Sequence, residues 1–162
     1  MGSIRGLSVS QAAIAAVRKR SSASWRAPVE AAVSPNGRHL WVSNYKIYGD
    51  AYRSDADDGC DRGDWEDSYV YRIDLEDFEI DGVVPTGAVP KFLQVSPDGR
   101  RLVVANWCGF DVSVIDTETL TEIGRVDLGR HPRGVAITGD SSRAYVTVMG
   151  ACLLYTSDAA DE

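Results

Sequence analysis

The sequence predicts an all-β fold, a partial β-propeller of about two and a half four-stranded antiparallel blades. Three observations carry that expectation. Residues 30–45, EAAVSPNGRHLWVSNY, recur as residues 92–107, FLQVSPDGRRLVVANW, at an offset of 62, with Val, Ser, Pro, Gly, Arg, Leu, Val and Asn coinciding in place. A third copy, GVAITGDSSRAYVTVM at residues 134–149, follows at a further offset of 42. Flanking positions keep the same register: Pro28, Pro90 and Pro132 align, as do Gly87 and Gly129, and YVYRID at 69–74 aligns with DVSVID at 111–116. Four short strands every 42 residues is the period of a propeller blade rather than of a sandwich.

Taken in chain order, residues 1–26 fit no blade. Residues 10–20, SQAAIAAVRKR, are Ala-rich with basic residues at their end and predict a short helix, but their apolar face is too thin for a membrane-surface helix. The same stretch lacks the apolar core and cleavage site of a signal peptide. The propeller portion spans residues 27–151, with blades expected at about 29–86 and 89–128 and an incomplete one at 132–150. In the middle repeat the strand-like runs are 92–96, 101–106, 111–116 and about 122–128. Asn36-Gly37 and Asp98-Gly99 supply hairpin turns, since Gly takes positive φ without strain, and Asp140-Ser141 replaces them in the third copy. The run Leu102-Val-Val-Ala105 is apolar throughout, as a strand covered on both faces should be, whereas Arg125 and Asp127 mark an outer edge strand. The excess of the first offset over the second lies in an insertion at residues 46–67. Residues 152–162, CLLYTSDAADE, resemble the translation of a sequencing adapter and are expected to form no regular blade strands. Setting them aside moves the net charge from −7 to about −4.

The VSPDGRRLVVAN block, the DVSVIDTETLTEIGRVDLGRHPRGVAI block and the Tyr145-Val-Thr-Val148 run resemble YVTN-family β-propeller repeats, a resemblance covering about residues 27–150. It implies a bacterial blade fold related to the propellers of nitrous-oxide reductase and surface-layer proteins, closing in rings of about seven blades. It also implies a periplasmic or extracellular setting for the full-length protein, although no signal peptide is visible in this chain.

The insertion is acidic, and Asp55, Asp57, Asp58 and Asp61 around Gly59 admit either a weak calcium site or a solvated loop; the spacing departs from an EF-hand loop. No other cofactor is expected. Cys60, in the insertion, and Cys108, in the corresponding loop of the next blade, fall on one face and are either a disulfide or two free thiols. The same face is expected to present Asn44, Tyr45, Tyr48, Trp65, Lys91, Asn106, Trp107, His131 and Arg133. Aromatic and planar polar groups there suit a ligand or partner, while the matched repeat positions of Tyr45 and Trp107 equally suit packing. Lys91 and Arg133 are repeat-equivalent and could line the central channel.

With a net charge of −7, nucleic acid is excluded as a partner, and no run of 18 apolar residues exists to cross a membrane. No His pair, Ser–His arrangement or haem-attaching Cys-x-x-Cys-His occurs, so no catalytic residues are assigned. Two readings stand: a non-enzymatic exported scaffold binding a protein, glycan or small ligand, or part of a propeller enzyme such as a sugar lactonase or a haem- or copper-associated reductase.

Overall fold

The computed structural model describes residues 28–45, 60 and 65–149, together with the backbone of 153–158. Among the described residues eleven strands form three antiparallel sheets in simple sequential order. The first holds β1 (Pro28–Val33), β2 (His39–Asn44), β3 (Ser68–Asp74) and β4 (Ile80–Thr86). The second holds β5 (Pro90–Val95), β6 (Arg101–Asn106), β7 (Asp111–Asp116) and β8 (Thr121–Asp127), and the third β9 (Pro132–Ile137), β10 (Arg143–Val148) and β11 (Leu153–Asp158). No helix occurs among the described residues, and so none there is long and apolar enough to cross a membrane.

The same turn chemistry closes the first hairpin of every sheet. Gly37, Gly99 and Ser141 take φ of 71°, 78° and 63°, the left-handed region that glycine enters freely and serine enters at some strain. A hydroxyl organises each turn. Ser34 Oγ donates to Asn36 Oδ1, Ser96 Oγ to Asp98 Oδ1 and Thr138 Oγ1 to Asp140 Oδ1, each at 2.6 Å. Each hydroxyl also accepts the backbone N–H that opens the next strand, from His39, Arg101 and Arg143 at 2.9–3.0 Å. The Asx side chain mimics a backbone turn, so the third copy keeps the geometry without glycine.

β5 packs against both β1 and β9, which makes the first strand of each sheet the inner one. Side chains alternate across a strand, and β6 shows the consequence. Leu102 and Val104 join Trp41, Val70 and Val84 of the first sheet in one buried cluster, while Val103 and Ala105 join Val135 and Val146 of the third in another. Two apolar clusters on opposite faces of one strand explain why its sequence has no polar alternation, and each fully buried Leu or Val contributes roughly 1.5–3 kcal/mol. β10 faces a packed sheet on one side and is only partly buried. β8, at the outside, is exposed along nearly its whole length.

Polar clamps tie the blades together at their turns. Arg72 Nη1 donates to the Thr117 carbonyl at 3.0 Å, joining the first sheet to the second. Asp98 N donates to Ser141 Oγ at 3.0 Å, joining the second to the third. Gly82 lies close under Leu120: a Cβ there would lie 2.9 Å from Leu120 Cδ1, so that methyl would have to shift.

One expectation is corrected. A two-stranded remnant was expected for the third blade, with an irregular tail, yet β11 pairs with β10 without a bulge from Arg143↔Asp158 to Val148↔Leu153. Ladder bonds join main-chain groups, so an open strand edge recruits any segment able to extend, and Leu-Leu-Tyr-Thr extends readily. The helix expected at residues 10–20 lies outside the described residues.

Candidate functional site

The site is built where each outer strand crosses to the next inner strand. Val89 and His131 are repeat-equivalent and immediately precede Pro90 and Pro132, and both take positive φ, 57° and 61°. A β-branched residue in that region costs about 1–2 kcal/mol. Backbone bonds hold it there: Trp107 N donates to the Val89 carbonyl at 2.9 Å, and Cys108 N and Gly109 N donate to that of Ala88. Met149 N repeats the contact on the His131 carbonyl at 3.0 Å.

This crossing sets the His131 imidazole flat on the Trp107 indole, with centroids 4.4 Å apart and planes within 5°. Lys91 Nζ lies 3.5 Å from the centroid of the same indole. One face of the ring cannot hold both groups at these separations, so the indole lies between an imidazole and an ammonium. Trp107 is 8% exposed and has no open face on which to stack a sugar. The Tyr45 ring centroid lies 5.5 Å from the same Nζ.

Beside this stack Cys60 and Cys108 form a disulfide, with Sγ atoms 2.03 Å and Cα atoms 5.0 Å apart. The bridge links the insertion of the first blade to the β6–β7 loop of the second. Trp65 caps it, donating its indole N–H to the Cys60 carbonyl at 3.2 Å. Cys60, Ala88, Val89, Trp107 and Cys108 make a buried apolar cluster, with Tyr45, Trp65 and Phe110 around it. A cleft of about 490 Å³ opens next to the bridge between Trp65, Asp67, Phe110, Asp111 and Arg130.

Charges on this face are unevenly balanced. Arg125 reaches Asp67 at 3.2 Å and Glu122 at 2.9 Å, and those hydrogen bonds, Glu122 first, raise its pKa above the ordinary value. Asp111 lies 3.9 Å from Arg125, its pKa raised by burial. Lys91 and Arg133 meet no carboxylate among the described residues. Burial, and then the charge of Arg133, hold the Lys91 pKa below its usual value. Burial raises the Tyr45 pKa against the opposing pull of Arg133. Arg133 Nη1 rests 3.6 Å from Met149 Sδ.

The structure gathers Tyr45, Trp65, Lys91, Trp107, His131 and Arg133 with the two cysteines, but it withdraws Asn44 and Asn106 from the face where the sequence placed them. Both are buried polar brackets between strands. Asn106 Nδ2 donates to Asp111 Oδ1 at 2.6 Å and Ser113 Oγ at 2.9 Å, and Asn44 Nδ2 approaches the Tyr71 hydroxyl at 3.5 Å. The repeat-equivalent pattern of such a residue identifies its level along the strand but not its neighbours. Gly87 makes room for the Asn106 bracket, since a Cβ there would lie 2.6 Å from Asn106 Nδ2 and Asp111 Oδ1. Tyr48, Asp55, Asp57, Asp58 and Asp61 lie outside the described residues, and with them the calcium expectation.

A cluster that sequence spacing did not reveal joins His39, Asp74 and Asp81, whose ligand atoms lie within 4.8 Å of one another. Its carboxylates already have cations: Arg72 Nε is 2.9 Å from Asp81 and Arg38 Nε 3.4 Å from Asp74. At the opposite end of the strands a cleft of about 650 Å³ lies between turns of the first two blades. There Arg101 is paired with Asp116 at 2.6 Å.

No protein-family model and no curated protein matches the chain. Among solved structures it is similar to Kuenenia stuttgartiensis hydrazine synthase, at 24% identity and a TM-score of 0.67, over 98% of this chain and 36% of that one. It is also similar to the Cps50 (Swd1) β-propeller domain of Myceliophteria thermophila, at 14% identity and a TM-score of 0.64, over 83% of this chain and 36% of that one. The likeness identifies a β-propeller fold, of which this chain spans little more than a third of either neighbour's length.

Proposed function

We propose that the chain belongs to a YVTN-type propeller that acts, outside the cytoplasm, as a non-enzymatic binding scaffold whose insertion-side face takes the partner. The observation that carries this reading is the Cys60–Cys108 bridge, which ties an inserted acidic loop to the neighbouring blade beside an aromatic and cationic cluster. Disulfides persist in oxidising compartments, which supports export. Long loops fixed on a rigid scaffold are where binding residues concentrate, which supports the face. The partner is a protein, a glycan or a small ligand. Closed stacking of Trp107 weighs against a sugar platform at that residue.

The test has two parts. The chain is produced behind a secretion leader and alkylated without reductant; of its three cysteines, only Cys152 should react. The oxidised chain is then immobilised and offered a panel of neutral and acidic oligosaccharides and small organic acids. Binding that survives in the Cys60→Ser/Cys108→Ser double variant unchanged would remove the anchored face as its site. Three reactive thiols in the secreted chain would remove export as the setting.

A further inference from the structure

We infer that Lys91 and Arg133, at the starts of the inner strands β5 and β9, form an oxyanion-binding pair that takes the carboxylate or phosphate of a small ligand. The inference rests on reading this face as a binding surface and deepens it by naming the ligand's chemistry.

The fold does not demand these charges. The equivalent position in the first blade is Val29, so an inner strand can begin equally well on an apolar residue. Each cation is nevertheless supported in the same way, on the residue that follows the second strand of its own blade. Lys91 lies on Trp107 at 3.5 Å and Arg133 lies against Met149 at 3.6 Å. An ammonium over an indole gains from the ring quadrupole, and a guanidinium against a thioether keeps its other N–H groups available. These supports hold the head groups in place without neutralising them.

Elsewhere among the described residues several cations are paired, although Arg100 is not. Arg38, Arg72, Arg101 and Arg125 each meet a carboxylate within 3.4 Å. The sequence has 24 acidic residues against 17 basic ones, so partners were not scarce, yet none of the described carboxylates reaches Lys91 or Arg133. β5 packs against β9, and Lys91 and His131, two residues before Arg133, both lie on the Trp107 indole. Two like charges starting neighbouring inner strands, with Lys91 partly desolvated, are an unfavourable arrangement. A bound oxyanion would relieve both the repulsion and the desolvation. The Tyr45 hydroxyl, on a ring 5.5 Å from Lys91 Nζ, adds a neutral donor on the same face. Carboxylate and phosphate share the geometry that a guanidinium recognises, and an ammonium adds a point charge beside it.

The test uses the full chain with its disulfide intact, titrated calorimetrically at low ionic strength with inorganic phosphate, with glucuronate and with glucose. Either anion should bind, glucose should not, and the tighter of the two anions names the headgroup. Lys91→Gln and Arg133→Gln should each weaken binding about tenfold, the loss expected for one hydrogen bond to a charged group. Arg100→Gln, at the opposite end of the strands, should leave it unchanged, and added sodium chloride should weaken it. Circular dichroism of each variant checks that the sheets persist. Undiminished anion binding by the Lys91→Gln/Arg133→Gln double variant, or no anion binding by the parent chain, overturns the inference. A neutral ligand that binds only the oxidised chain, with no anion bound, overturns the pair while leaving the scaffold reading in place. Anion binding lost in the double variant but indifferent to the disulfide upholds the pair and removes the anchored face.

Discussion

Ser34, Ser96 and Thr138 occupy one position in three successive turns, and each hydroxyl both donates to an Asx side chain and accepts from the next strand's first N–H. Ser96 is 1% exposed, so Ser96→Ala strands the part-buried Arg101 N–H and should cost about 1–2 kcal/mol in urea unfolding. The same turns make stability depend on acid. Hydrogen bonds, the Ser96 hydroxyl first, lower the Asp98 pKa, and the Thr138 hydroxyl leads in lowering that of Asp140 to about 2. A lowered folded pKa means that the stabilisation is complete above the unfolded value and is lost as pH falls through the folded one. Stability should therefore decline from about pH 4 downward. Asp111, raised by burial, works in the opposite sense and gains as pH falls through its raised value. Asn36 shows that an amide serves equally well in this turn, so Asp98→Asn should keep the midpoint at neutral pH and flatten the acid slope. The Asx-Gly signature of these turns was legible from sequence, but the seating of His131 was not. Its ring reaches Trp107 only because a non-glycine residue takes positive φ, which no propensity announces.

At the scale of the strand, burial follows position in the stack more than composition. Leu102, on β6, is fully buried between blades and Leu102→Ala should cost about 2–5 kcal/mol. Ile123, on β8, is 52% exposed, and Ile123→Ala should shift the urea midpoint hardly at all, within about 0.5 kcal/mol. Equal losses at the two sites would contradict the stacking of blades. The strands of the middle blade were readable almost to the residue because repeat offset, turn residues and apolar runs agree there. They agree less well at the ends. β11 forms on an open edge, through main-chain bonds that leave no mark in side-chain pattern. Asn44 and Asn106 were read as facing a ligand because a repeated polar residue at a strand end looks the same whether it points out or inward.

At the scale of the whole chain, the blades are joined by nearest-neighbour terms: the apolar clusters, the Arg72 and Ser141 clamps, and the bridge. Both cysteines could be placed on one face from sequence, because the insertion left the strands in register around it. Their sequence separation is 48, and chain entropy for a loop of that size gives about 4 kcal/mol of stabilisation, so reduction should lower the urea midpoint accordingly. The bridge also divides the molecule mechanically. Chain pulled from its two ends cannot extend through the segment between Cys60 and Cys108 while the sulfurs are joined. That segment is about 160 Å of fully extended backbone at about 3.4 Å per residue. Stretched in an optical trap, the oxidised protein should come up short by that contour length, and a reductant should release it in full. The tethered segment carries β3 to β6, half of the first blade and half of the second, and these four strands would stay slack until the bond is cut.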